Sequence, residues 1–380
     1  MVDGRWKMDD VRWWMLLCTA FFILHSSFFI SCTKEGETII LPTPGEEQPA
    51  TTPLVTVIYD PDGLGDRSYN DLIYKGVEEA AKKYGLRTLQ LAPENKEQGL
   101  AYLETMFSQI ENFNDTVRRL FVTPSIVNDA YIRANNKRLE ANPYTDLLFM
   151  ETTKPLDGKG STFYIDYYGA MYMSGCMVHY AATDLVALVL ANPYTQTVQE
   201  AGNGFQAGFN DTPQSNAASP LVLDVRYLSD DPVGGFMIAD STATRIFDEE
   251  RHSISGKNIN NVTLVPVCGG AMHAFFRAAK SIVSSYKYVG IDGDMTADKD
   301  YCIFSTLKRI DKVMVDYIGM WLNGTMPKHQ TLGLADGATD VIVGNYTYAY
   351  AIKGGLWDNG LNMDSLRQVA IRKEGERYER

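Results

Sequence analysis

The chain has 380 residues, 45% of them apolar and 22% charged, which suits a folded globular protein and is too long for one small core. A formal net charge of −12 excludes a nucleic-acid backbone or an acidic lipid surface as electrostatic partner, because neither gains counterion release from an acidic protein. A neutral or cationic small ligand fits better.

The N-terminus comes first in chain order. An apolar run, Trp13 to Leu24, is broken by His25-Ser26-Ser27, resumes as Phe28-Phe29-Ile30 and ends at Ser31-Cys32. A small residue directly before a cysteine at the end of such a run resembles the lipobox of bacterial lipoprotein signal peptides. Residues 1–31 are therefore expected to be a signal peptide, and Cys32 the lipidated first residue of the mature protein. The leading segment mixes Arg5, Lys7 and Arg12 with Asp3, Asp9 and Asp10, so it lacks the usual net positive charge. The alternative is a single membrane-spanning anchor; the polar break and the Ser-Cys junction favour cleavage. Residues 32–53, rich in Pro, Thr and Glu, read as an extended tether. Beyond Cys32 only Cys176, Cys268 and Cys302 follow, with no disulfide or zinc pattern.

From residue 54 strands and helices alternate. Leu54–Tyr59, Arg87–Leu91, Arg119–Thr123 and Leu147–Glu151 read as strands, separated by amphipathic helices near 69–84, 98–112 and 128–141. This is a parallel α/β lobe over 54–153. The turn-rich stretch 154–160 opens a second lobe, 154–301. Its expected strands are Phe163–Tyr167, Val186–Leu190, Val222–Tyr227, Thr263–Val267 and Tyr288–Asp292, with helices near 170–183, 196–209, 237–250 and 272–285. The strand Cys302–Thr306 and the helix Leu307–Asn323 are expected to return to the first lobe as a segment 302–330, and 331–380 to pack back on both lobes. The fold class is α/β, two doubly wound parallel-sheet lobes joined by a hinge, in the order of a type I periplasmic-binding-protein fold.

In such sheets ligands bind beyond the carboxyl ends of the strands. Those positions hold Asp66-Arg67-Ser68-Tyr69-Asn70, Pro124-Ser125, Glu151, Asn192-Pro193-Tyr194, Gly269-Gly270 and Asp292-Gly293-Asp294. Carboxylates accept from hydroxyls, amides donate and accept, and rings stack, so the set suits a neutral polyhydroxylated ligand with a flat face: a sugar or a nucleoside. Each residue also has a plainer use. Asp66 or Ser68 can cap the helix that follows, Asp292 the next turn; Lys308 can be a solvated helix lysine, and Phe205 can be core. The stretch 292–300 has Ala297 where a calcium loop needs its glycine and Ile303 where it needs a glutamate, so it is not one. The histidines are too scattered for a metal helix, and neither a Gly-x-Ser-x-Gly elbow nor a phosphate loop occurs. No cofactor is expected.

Five motifs in order resemble the basic membrane protein family of substrate-binding lipoproteins. They are Asp66-Arg-Ser-Tyr-Asn70 with Gly76, Gly204-Phe-Gln-Ala-Gly208, the glycine-led Gly269–Ala279, Val289-Gly-Ile-Asp292 and Ser305-Thr-Leu-Lys308, spread over about residues 54–345. The best-understood members bind purine nucleosides. The resemblance implies a ligand site of Asp66, Tyr69, Asn70, Ser125, Glu151, Phe205, Gly269, Asp292 and Lys308, with delivery to an ABC permease and no catalysis. Tyr69 in place of the usual Phe, Glu151 in place of Asp, Met272 and Ala274 in place of glycines, and Gly293-Asp294 imply a reshaped pocket. A sugar or autoinducer-type ligand, or sensing without transport, is the alternative.

Overall fold

The computed structural model describes residues 38–40, 50–61, 63–181, 185–212, 221–253, 261–282, 285–344, 352–353, 356–357 and 362–378. Cys32 and the apolar run before it lie outside the described residues. The first lobe runs β1 (Thr38–Ile40), β2 (Leu54–Ile58), α1 (Tyr69–Tyr84), β3 (Arg87–Ala92), α2 (Lys96–Gln109), β4 (Arg119–Pro124), α3 (Ser125–Asn135), β5 (Thr145–Met150) and β6 (Ser161–Ile165). The second runs α4 (Tyr168–Ala181), β7 (Leu185–Leu190), α5 (Gln196–Asp211), β8 (Val222–Tyr227), α6 (Asp240–Ser253), β9 (Asn261–Val267), α7 (Ala271–Ile282), β10 (Ser285–Asp292) and β11 (Cys302–Lys308). Then come α8 (Ile310–Asn323), β12 (His329–Leu332), β13 (Thr339–Ile342) and α9 (Met363–Gly375).

One sheet has the order β1-β3-β2-β4-β5-β6-β12 and the other β13-β11-β10-β9-β7-β8. Both are parallel except at β1 and β13. The interior strand β7, Leu185-Val-Ala-Leu-Val-Leu190, is an uninterrupted apolar run, because helices cover both faces of its sheet. The helix α8 packs with α1 on one face of the first sheet, through Ile310, Met314 and Trp321, while Leu103, Phe107 and Ile132 cover the other face.

Four expectations change. The strand near 163–167 is β6, which pairs with β5, so the first lobe keeps one strand more than its expected boundary at 153 allowed. The strand at 302 pairs with β10 in the second sheet, not the first; it runs to Lys308, and the return to lobe 1 begins only at α8. The tether contains β1, which lies antiparallel to β3. The 331–380 segment supplies β13 to the second sheet, and β12 just before it joins the first. The chain thus crosses between lobes three times, after β6, after β11 and after β12, which is the connectivity of type I periplasmic binding proteins.

Candidate functional site

At the carboxyl ends of β2, β10 and β11 the two lobes enclose a cavity of about 220 Å³. Asp66, Tyr69, Asn70, Gly269, Asp292 and Lys308, all anticipated from sequence, are in its wall. Sequence reasoning missed Asp60, Tyr167, Thr197 and Phe236, which line it too. Asp60 was findable, being the second residue past β2. Phe236 lies on an irregular loop after β8, where no periodicity marks it.

The first-lobe wall is built by the entry into α1. The Asp66 carboxylate accepts the N–H groups of Ser68 at 2.8 Å, Asn70 at 2.8 Å and Asp71 at 3.2 Å. Asp66 is therefore the cap that starts the helix, and the cavity meets a carboxylate already engaged. Burial pushes its pKa up to about 6 although these bonds pull it down. The helix then buries Asn70, Ile73, Val77 and Ala80 along one stripe and stops at Gly85, whose left-handed φ of 65° suits glycine. Tyr69 and Asn70 are left facing the cavity, and the buried Tyr69 hydroxyl and Asn70 Oδ1 have no hydrogen-bond partner in the protein.

From the second lobe, Asp292 ends β10 at a φ of 64°. Its carboxylate accepts from the Ser68 hydroxyl across the cleft, and its N–H donates to the Tyr167 hydroxyl at 3.0 Å. Desolvation raises the Asp292 pKa. A second cross-cleft bond joins His273 Nε2 to the Asp66 carbonyl at 3.1 Å. Gly269, at a φ of 54°, lets the chain turn beneath the Phe236 ring; a Cβ there would sit 3.3 Å from it.

Lys308 is not a solvated helix lysine. It is the last residue of β11, 2% exposed, with Nζ 2.5 Å from Glu151 Oε2 and 2.8 Å from Thr197 Oγ1. It also lies 6.0 Å from the Tyr69 ring centre and 5.8 Å from that of Tyr167. Glu151 sits behind it, and its pKa is raised by burial against the pull of Lys308. The second carboxylate oxygen, Oε1, has no partner. Among the described residues the only non-glycines at positive φ are Arg67, Glu151 and Asp292. Arg67 adjoins the cavity wall, Asp292 forms part of it and Glu151 stands behind it, a concentration of backbone strain typical of functional sites.

Besides Glu151, two anticipated residues lie outside the cavity wall. Ser125 donates from its hydroxyl to the Glu151 carbonyl at 2.6 Å and lines an adjoining groove of about 550 Å³, together with Glu151 and Tyr194. Phe205 is fully buried in the core, where α4 and α5 pack so closely that a Cβ on Gly204 or Gly208 would strike the backbone of α4. Its motif is a helix-packing motif and does not touch the cavity. Among the described residues there is no group of His, Cys, Asp or Glu arranged to hold a metal, and no helix is long and apolar enough to cross a membrane.

Two parallel sheets facing each other over a cavity, joined by three crossings, define a two-lobed ligand-capturing protein. The chain belongs to the Bmp family of PnrA-like ABC transporter substrate-binding proteins, whose family model matches residues 54–349. A small-molecule ligand and an ABC permease are therefore its partners. No curated protein sequence matches it. In fold it is similar to an ABC transporter solute-binding protein from Aeropyrum pernix K1, at 17% identity and a TM-score of 0.59 over 85% of this chain and 86% of that one. It is also similar to a transcriptional activator of the comK gene from Bacillus halodurans, at 15% identity and 0.56 over 85% and 96%. A glucose-galactose binding protein from Geobacillus stearothermophilus matches at 12% and 0.52 over 77% and 97%.

Proposed function

We propose that this protein captures a nucleoside, as an envelope lipoprotein anchored through Cys32, and hands it to its permease. The observation that supports this most is the state of the polar groups in the cavity wall. Lys308, the buried cation of the wall, is already neutralised by Glu151, so it does not call for an anionic ligand. What the cavity leaves open are the Asn70 amide oxygen and the Tyr69 hydroxyl, beside the Asp292 carboxylate and the rings of Tyr69, Tyr167 and Phe236. A buried polar atom without a partner is costly, so these are places where a ligand gains by bonding. A nucleoside brings both requirements, a flat base for the rings and sugar hydroxyls for the carboxylate.

No covalent step is needed. Capture works by closure: ligand contacts from both walls exist together only when the lobes meet, as Ser68 and Asp292 do here. The test is a thermal-unfolding panel of adenosine, guanosine, inosine, uridine, ribose and galactose. A ligand at a hundred times its Kd adds about 2.7 kcal/mol to stability, enough to read as a shift of Tm. Nucleosides are expected to shift Tm and ribose not; a response to ribose or galactose alone moves the assignment to sugars. For the anchor, wild-type protein expressed in a bacterium takes up labelled fatty acid and Cys32→Ala does not; equal label in both removes the lipoprotein assignment.

A further inference from the structure

The helix α9 lies beyond the residues that the family model covers, and it ends at the hinge. Glu374, 7% exposed, uses one carboxylate oxygen to accept the N–H of Gly169 at 2.8 Å and the other to accept the N–H of Leu334 at 2.9 Å. Gly169 begins the second lobe just after the first crossing, and Leu334 is within the third. One carboxylate therefore holds two of the three interlobe connections together. A Cβ at Gly169 or Gly333 would collide with that carboxylate and push it from its two N–H donors.

The following turn adds a second hold on the same place. The Arg377 guanidinium lies 3.0 Å from Asp166, in the first crossing, and 2.7 Å from Glu200 on α5, and the Tyr378 hydroxyl donates to Asp166 at 2.5 Å. Glu200 in turn accepts from Tyr164 of β6 in the first lobe at 2.6 Å. We propose that Glu374 and Arg377 are positioning residues for ligand capture: by fixing the first and third crossings they set the angle at which the ligand-free lobes rest.

A hinge held near the closed geometry keeps the binding-competent state populated, whereas a loosened hinge divides affinity by the fraction that remains competent. The clamp also faces a set of charged groups: Asp166 and Arg377 close to Glu374, Glu200 and Tyr378 around Arg377, and Asp336 on the Gly333 N–H. Burial and the neighbouring Asp166 push the Glu374 pKa up to about 7. Protonation removes one of its two acceptor oxygens, so the clamp slackens as pH falls through that range.

The experiment measures the lobes without ligand. Spin labels at Glu140→Cys and Lys280→Cys, both exposed and one in each lobe, are placed in the full chain with Cys18 and Cys32 replaced by serine. Electron–electron distances are compared for wild type, Glu374→Gln and Tyr378→Phe. The expected result is a longer or broader interlobe distance in Glu374→Gln and a smaller change of the same kind in Tyr378→Phe. Wild type at pH 6 should move toward Glu374→Gln, which itself changes less than wild type between pH 6 and 8. With adenosine as probe, an arm that rests on the proposed ligand class, Kd should rise about three- to tenfold in Glu374→Gln. Distances identical to wild type at every pH overturn the proposal, even if Tm falls. Because the distance arm contains no ligand, it fails or succeeds independently of the nucleoside assignment.

Discussion

Two ionic networks join the lobes, one at the cavity and one at the hinge, and they differ in how completely they are hydrogen-bonded. At the hinge, Asp166, Glu200, Glu374 and Arg377 leave no buried side-chain polar atom without a partner. At the cavity, Glu151 Oε1, the Tyr69 hydroxyl and Asn70 Oδ1 are all buried and unpartnered. Both sets carry the desolvation cost of buried polar groups, and only the hinge recovers it within the protein. A satisfied network holds shape; an unsatisfied one beside a cavity waits for something from outside.

The largest expected effect breaks the cavity network at its centre. Lys308→Met leaves Glu151 buried without its cation and should cost about 3–5 kcal/mol in urea unfolding of the ligand-free protein. Adding Glu151→Leu should restore most of that loss, since replacing a buried pair by apolar residues is often neutral. A double variant no more stable than Lys308→Met would mean that the pair is not an isolated unit.

Next come the groups that face the ligand. Asp292→Ala removes a charge-assisted hydrogen bond, about 1.5–3 kcal/mol. At about 1.4 kcal/mol per tenfold, calorimetry should show affinity weakened ten- to a hundredfold. Tyr69→Ala should lose about 0.5–1.5 kcal/mol of stacking beyond the area lost. Asp66→Ala should behave differently from both, lowering stability by about 1 kcal/mol through loss of the α1 cap. A loss of affinity in Asp66→Ala larger than that in Asp292→Ala would reverse the roles assigned to the two carboxylates.

A pH slope belongs to the same carboxylate. Because burial raises the Asp66 pKa from 3.8 to about 6, the folded state holds that proton more tightly than the unfolded chain does. The contribution of that proton to stability is full below about 3.8, declines as pH rises and is gone above about 6, where the carboxylate keeps its hydrogen bonds to α1. The difference in urea midpoint between wild type and Asp66→Asn should therefore change between pH 4 and pH 6 and stay level from pH 6.5 to 8. A level difference across the whole range would place the Asp66 carboxyl in an unperturbed environment.

Much of this architecture was legible because buried parallel strands are written as short apolar runs. Leu185–Leu190 and Arg119–Pro124 needed no tertiary information. Membership of a sheet was not legible. β6 and β11 were recognised as strands and assigned to the wrong lobe, since an apolar run does not say which neighbour it pairs with. The four-residue strands β12 and β13 carry too few residues for any period to show. In the site, Tyr69, Asn70 and Asp292 were visible as polar groups at strand ends. Tyr167, read as the last residue of a strand, and Phe236, in a loop, were not, because an aromatic residue looks the same in sequence whether it faces a core or a cavity. Phe205 is the converse case: its motif resembles the family's, and its glycines serve the contact of α4 with α5.

The open polar atoms and rings of this cavity are proposed to receive a nucleoside. A calorimetric titration of the Cys32→Ser chain with adenosine or inosine, and with ribose at the same concentrations, tests it most directly. Saturable heat is expected with a purine nucleoside, none with ribose, and loss of most of that heat in Asp292→Ala. Saturable binding of ribose with no response to any nucleoside would contradict it.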